Sequence, residues 1–132
     1  MKNIYFHVGP PKTGSTSIQK LLYTNINNIN NFYIPQTCLT VPNLINHANL
    51  AFEILGDNRF EAKHGVFEDL LNEISSKEKD ILISSEDLLF VLLDEKKKLE
   101  FEKRFNDLGY KIKYIFFVRK DFDYFYSQST EF

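Results

Sequence analysis

Between Ile4 and Leu22 the chain reads IYFHVGPPKTGSTSIQKLL, a set of residue types suited to holding a small oxyanion. An apolar run (Ile4, Tyr5, Phe6, Val8) breaks at Gly9-Pro10-Pro11. The loop Lys12-Thr13-Gly14-Ser15-Thr16-Ser17 follows, and Ile18, Leu21 and Leu22 then fall on one helical face. The order is strand, tight loop, helix N-terminus. A helix start carries unsatisfied backbone N–H groups and the positive end of the helix dipole, so such a junction aims donors at an anion. Lys12 adds a full positive charge and the hydroxyls add further donors, which makes a phosphate or sulfate group the expected guest. The triphosphate-binding pattern G-x-x-x-x-G-K-[ST] is met only in part. Gly9, Gly14 and Thr16 fit it, but Ser15 stands at the lysine position and Lys12 lies inside the loop, so the usual β/γ-phosphate contact is missing. No G-x-G-x-x-G is present. A polar turn that merely caps a helix is the simpler reading of the same hydroxyls. Lysine, glycine and hydroxyls converging at a strand end favour the anion site over it.

A second segment, Lys113 to Phe132, reads KYIFFVRKDFDYFYSQSTEF. Tyr114 to Val118 has the composition of a strand buried on both faces. Arg119 stands where that strand should end, and Asp121 is placed to cap the helix that follows. Ser127 lies eight residues beyond Arg119, roughly two helical turns along. An arginine at a strand end and a serine on the next helix can clamp one phosphate between them.

These two segments resemble the donor-binding motifs of sulfotransferases. Pro11 to Thr16 match the 5′-phosphosulfate-binding pattern P-K-T-G-[ST]-[ST] residue for residue, and Arg119 with Ser127 has the R-x7-S spacing of the 3′-phosphate site. The family usually has proline two residues after the arginine, where this chain has Asp121. The resemblance spans residues 4 to 127 and implies a P-loop-like α/β core. It implies 3′-phosphoadenosine 5′-phosphosulfate (PAPS) as co-substrate, no metal, and a hydroxyl or amine of a carbohydrate or other small molecule as acceptor. Pro11, Lys12, Thr13, Gly14, Ser15, Thr16 and Ser17 would then hold the 5′ end of the donor, with Lys12 also catalytic, because it neutralises charge as the S–O bond breaks. Arg119 and Ser127 would hold the 3′-phosphate. Domains of this family run well past the second motif, so the 1–132 donor-binding domain is expected to be incomplete at its C-terminal end.

Around these motifs the elements alternate. Strands are expected at roughly 3–8, 80–85 and 111–118, with a short one at Phe32 to Ile34 stopped by Pro35. Helices are expected at 15–24, Leu44 to Leu55 ended by Gly56, Val66 to Ile74, and Asp94 to Leu108 ended by Gly109, with a last helix after residue 118. The asparagine-rich stretch Thr24 to Phe32 reads as loop, and Glu95-Lys96-Lys97-Lys98 as a solvated helix face. Apolar strands alternating with helices imply a parallel sheet with helices on both faces. Ligands of such sheets bind beyond the strand C-termini, so the Lys12 loop, Ser84-Ser85-Glu86 and Arg119 are expected on one rim.

That rim supplies a candidate base. Sulfuryl transfer needs an acceptor aligned with sulfur and a group to take its proton. Several carbohydrate sulfotransferases carry a catalytic glutamate just after the corresponding strand, and others use histidine. Glu86 has the first position, with helix capping by Ser85-Glu86-Asp87 as its alternative role. His47 is the rival base, in a region between Pro42 and an expected peripheral helix. His7 is expected to be packed in its strand and His64 exposed, and no Cys/His cluster has zinc spacing.

Composition sets outer bounds. The 132 residues suffice for one domain with a real core, 43% of them hydrophobic, and thirteen Phe with no Trp predict a Phe-rich interior. The net charge of −2 argues against a general nucleic-acid binder. Cys38 is single and is expected to be a buried thiol. There is no apolar leader and no run of about 18 apolar residues, so no membrane span and a cytoplasmic location are expected. Three function classes stand: a sulfotransferase, an inactive PAPS-binding module, and a nucleotide kinase-like phosphotransferase, which Ser15 disfavours.

Overall fold

The computed structural model describes residues 2–8 and 15–116. They form an α/β fold whose four strands are all parallel: β1 (Lys2–His7), β2 (Phe32–Tyr33), β3 (Asp80–Ser84) and β4 (Tyr110–Ile115), in the order β2-β3-β1-β4. The helices are α1 (Ser15–Thr24), α2 (Ala48–Leu55), α3 (Phe67–Ser75), α4 (Leu88–Leu92) and α5 (Glu95–Asn106), with single 3₁₀ turns at Ile26–Asn28 and Ala62–His64. Parallel neighbours cannot be joined by a hairpin, so each strand return is a crossover.

Strand alternation sorts the side chains into two layers. Ile4 and Phe6 of β1 and Val8 just after it, with Ile81 and Ile83 of β3, enter one core with Leu50, Leu70, Ile74, Leu88, Phe101 and Phe105 from α2–α5. Tyr5 and Leu82 face the other way, onto Leu22 of α1, Ile34 and Ile45. The sheet is thus covered on both faces, as its apolar runs imply. The first core is Phe-rich. The ring centroid of Phe6 lies 5.0 Å from that of Phe101 and 5.1 Å from that of Phe105, and Phe67 lies 5.5 Å from Phe105, within the range of favourable tilted aromatic pairs. Cys38 is fully buried, and burial pushes its thiol up to about 12, the mark of an inert packing residue.

The order of the strands decides where a ligand can enter. From β1 the chain runs outward through α1 to β2, then returns to β3 beside β1. From β3 it runs past β1 to β4. Neighbours β1 and β3 therefore send their connections off in opposite directions, which opens a crevice at their C-terminal ends. Their ends are level: His7 is in register with Ser84 and with Ile115. Two more hydrogen bonds extend the ladders past the strands, from Ser85 N–H to His7 O (2.9 Å) and from Val8 N–H to Ile115 O (3.2 Å).

Two expectations are corrected. The helix expected from Leu44 starts at Ala48, because residues 43–47 take up long-range bonds instead: Asn43 has φ 66°, Ile45 N–H donates to Gln19 O, and His47 N–H donates to Ser84 O at 2.7 Å. On α1, Leu21 is 62% exposed, and the side turned to the sheet carries Gln19 and Leu22. The strand expected at 111–118 is described from Tyr110 to Ile115, and residues 117–118 lie outside the described residues.

Candidate functional site

The C-terminal rim of the sheet holds Glu86 and the Ser84-Ser85 pair that the sequence singled out. Ser15, Thr16 and Ser17 form the first turn of α1, so their backbone N–H groups are among those that a helix start leaves unpaired. Pro11, Lys12, Thr13 and Gly14, and likewise Arg119 and Ser127, lie outside the described residues. The rim does hold the C-terminal ends of β1 and β4, which precede these residues in the sequence.

Glu86 sits two residues past β3, in the turn that leads to α4, and is half-buried. Burial raises its carboxyl above the ordinary range, and repulsion from Asp87 adds to this. A carboxylate so placed is a better proton acceptor than one in water. Among the described residues the capping role finds no side-chain bond: Asp87, the residue before α4, makes none to the helix start, and the fully buried Ser85 hydroxyl has no partner there. Asp87 faces the Arg59 guanidinium at 3.9 Å, and Arg59 is itself stacked on Phe52 and held by Asp57 at 2.8 Å. This ion-paired strap ties the segment after α2 to the turn carrying Glu86.

His47 lies elsewhere than its sequence context suggested. It is fully buried, and α2, which it precedes, is core rather than peripheral, with Ala48 to Phe52 all buried. Its Nε2 lies 2.8 Å from Pro35 O and its Nδ1 accepts the Ser84 N–H at 3.1 Å. A carbonyl can only accept, so Nε2 carries the proton and Nδ1 the lone pair. Both nitrogens are spent on backbone, and desolvation lowers the imidazole below its ordinary value. The arrangement is that of a neutral structural histidine.

Beneath the rim lies a buried polar group that sequence reasoning missed. The Ser84 hydroxyl is 2.8 Å from His7 Nδ1 and accepts from Gln19 Nε2 at 3.2 Å. All three residues are at most 1% exposed. The available signals were a serine on an inward-facing position of an apolar strand and a glutamine three residues before Leu22 on the sheet side of α1.

His7 gives a pH prediction. Burial lowers its imidazole to about 4 from 6.5. The unfolded chain therefore takes up a proton that the folded chain refuses, and stability is full above about 6.5 and falls as pH drops toward 4. By pH 5 the loss is about 2 kcal/mol, and His47 acts in the same direction. The raised carboxyls of Glu86 and Asp87 act in the opposite direction, so the comparison of interest is with a variant. Urea unfolding at pH 7 and pH 5 should show a smaller loss in His7→Gln than in the wild type; equal losses in the two would overturn the assignment.

Among the described residues, no group of His, Cys, Asp and Glu is placed to hold a metal ion, and no helix is long and apolar enough to cross a membrane. A surface cavity of about 440 Å³ lies away from the rim, between α2, α3 and α5. Several of its charges are engaged: Arg104 pairs with Glu68, Lys103 pairs with Asp107, and Glu53 accepts the Phe67 N–H at 2.8 Å. The chain matches no protein-family model, no curated protein and no solved structure.

Proposed function

We propose that this chain is the donor-binding core of a sulfotransferase, with PAPS seated in the crevice between the ends of β1 and β3. The observation that carries the reading is the level pairing of those ends. The Ser85 N–H to His7 O bond sets the turn bearing Glu86 directly beside the strand that enters the Pro11-Lys12-Thr13-Gly14-Ser15-Thr16 loop. In this reading an acceptor oxygen or nitrogen attacks sulfur, the S–O bond to the 5′-phosphate breaks, and 3′-phosphoadenosine 5′-phosphate (PAP) leaves. The acceptor proton goes to Glu86. Lys12 and the first-turn amides of α1 bind the sulfuryl and bridging oxygens, where negative charge grows in the transition state. Arg119 and Ser127 hold the 3′-phosphate. His47 has no part in proton transfer, because both its nitrogens are committed to backbone.

Calorimetric titration with PAP, ADP and ATP tests the donor class. PAP should bind more tightly than ADP, and Arg119→Ala should abolish the difference, since a charge-assisted phosphate contact contributes about 1.5–3 kcal/mol. Equal binding of PAP and ADP by the wild type would overturn the reading in favour of a nucleotide phosphotransferase. PAP binding without transfer to any acceptor would leave a binding module.

A further inference from the structure

Gln19 occupies a place where an apolar residue would be the default. It lies on the sheet side of α1 with Leu22, it is 1% exposed, and burying an amide is costly unless it is bonded. Its bonds go to two different parts of the fold. Its side-chain Nε2 donates to the Ser84 hydroxyl of β3 at 3.2 Å, and its backbone carbonyl accepts the Ile45 N–H at 3.2 Å. Ser84 is held just as firmly. Its carbonyl accepts the His47 N–H, its N–H donates to His47 Nδ1, and its hydroxyl meets His7 Nδ1 of β1 at 2.8 Å.

We infer that Gln19 and Ser84 are positioning residues for the donor: their hydrogen bond fixes α1 against the ends of β1 and β3, so that its first turn meets the 5′-phosphosulfate in register. This rests on the donor-binding reading above. Apolar contacts alone, such as Leu22 against Leu82, allow a helix to slide or turn by fractions of an ångström. Binding geometry tolerates only about 0.5 Å. A directional bond one turn beyond Ser15 removes that freedom where it matters, and the His7 contact refers the same hydroxyl to the strand that enters the loop.

The test uses Gln19→Met, which keeps length and burial but not the donor, together with Ser84→Ala and the double variant. Ile74→Val, in the core on the other face of the sheet, is the control for lost packing. PAP affinity is measured by calorimetry and α1 mobility by amide hydrogen exchange. Gln19→Met should weaken PAP by about tenfold and speed exchange in α1 but not in α3. The control should leave affinity unchanged. The double variant should be no worse than the worse single one, since both remove the same bond. Wild-type affinity and wild-type α1 exchange in Gln19→Met would overturn the inference, and so would strictly additive losses. If the wild type fails to bind PAP, the donor reading falls, and the exchange data with the cycle still decide whether the pair fixes α1. Ser84→Ala, which removes only a hydroxyl, carries the measurement if Gln19→Met does not fold.

Discussion

Glu86→Gln is expected to cut sulfuryl transfer by about 10²-fold or more while PAP affinity and folding stay near wild type. Glutamine keeps the size of the side chain and its place in the turn after β3, but it cannot take a proton. The effect should appear in turnover rather than in donor binding, because proton removal matters only as the acceptor bond forms. The wild-type profile should fall at low pH as Glu86 protonates. Burial, with Asp87 beside it, puts that fall above the usual carboxylate range. The limb should disappear from whatever activity Glu86→Gln retains. PAP release with a panel of mono- and oligosaccharide acceptors measures both. A Glu86→Gln chain with full turnover would remove Glu86 from the mechanism.

His47→Leu should show the opposite pattern, a loss of fold rather than of chemistry. Leucine fills much of the space but leaves the Ser84 N–H and the Pro35 carbonyl without the partners they have at 3.1 and 2.8 Å. Each orphaned buried group costs about 1–3 kcal/mol, so the pair costs about 2–6 kcal/mol. A domain of this size has only about 5–15 kcal/mol in all. Urea unfolding should therefore show a chain close to or past its stability limit. A His47→Leu chain of wild-type stability that binds PAP but transfers nothing would return His47 to the role of base.

The first strand and the helix that follows it were legible because their signals are local. The apolar run, the Gly-Pro-Pro break and the hydroxyls mark their own boundaries, and the helix expected at 15–24 is α1, Ser15–Thr24. The parallel sheet, its two covered faces and the Phe core followed from periodicity and composition, which depend on near neighbours and bulk burial. The placing of Glu86 on the rim also came through, since a residue just past a core strand is held by the sheet wherever the rest of the chain goes.

His47 and Gln19 were not legible in the same way. The spacing of Leu44, Ala48, Ala51 and Leu55 suits one long helix, yet residues 43–47 leave it to bond with Gln19 and Ser84. Ile18, Leu21 and Leu22 suggest one apolar stripe, yet Leu21 faces solvent and Gln19 turns inward. The sequence by itself determined the parallel α/β alternation and the place of Glu86 just past a core strand. Only the tertiary structure decided that His47 serves the backbone and that Ser84 joins α1 to β1. The reason is physical: those bonds link residues 37, 65 and 77 positions apart. Their strength comes from being sheltered from water together, a condition that no local pattern encodes.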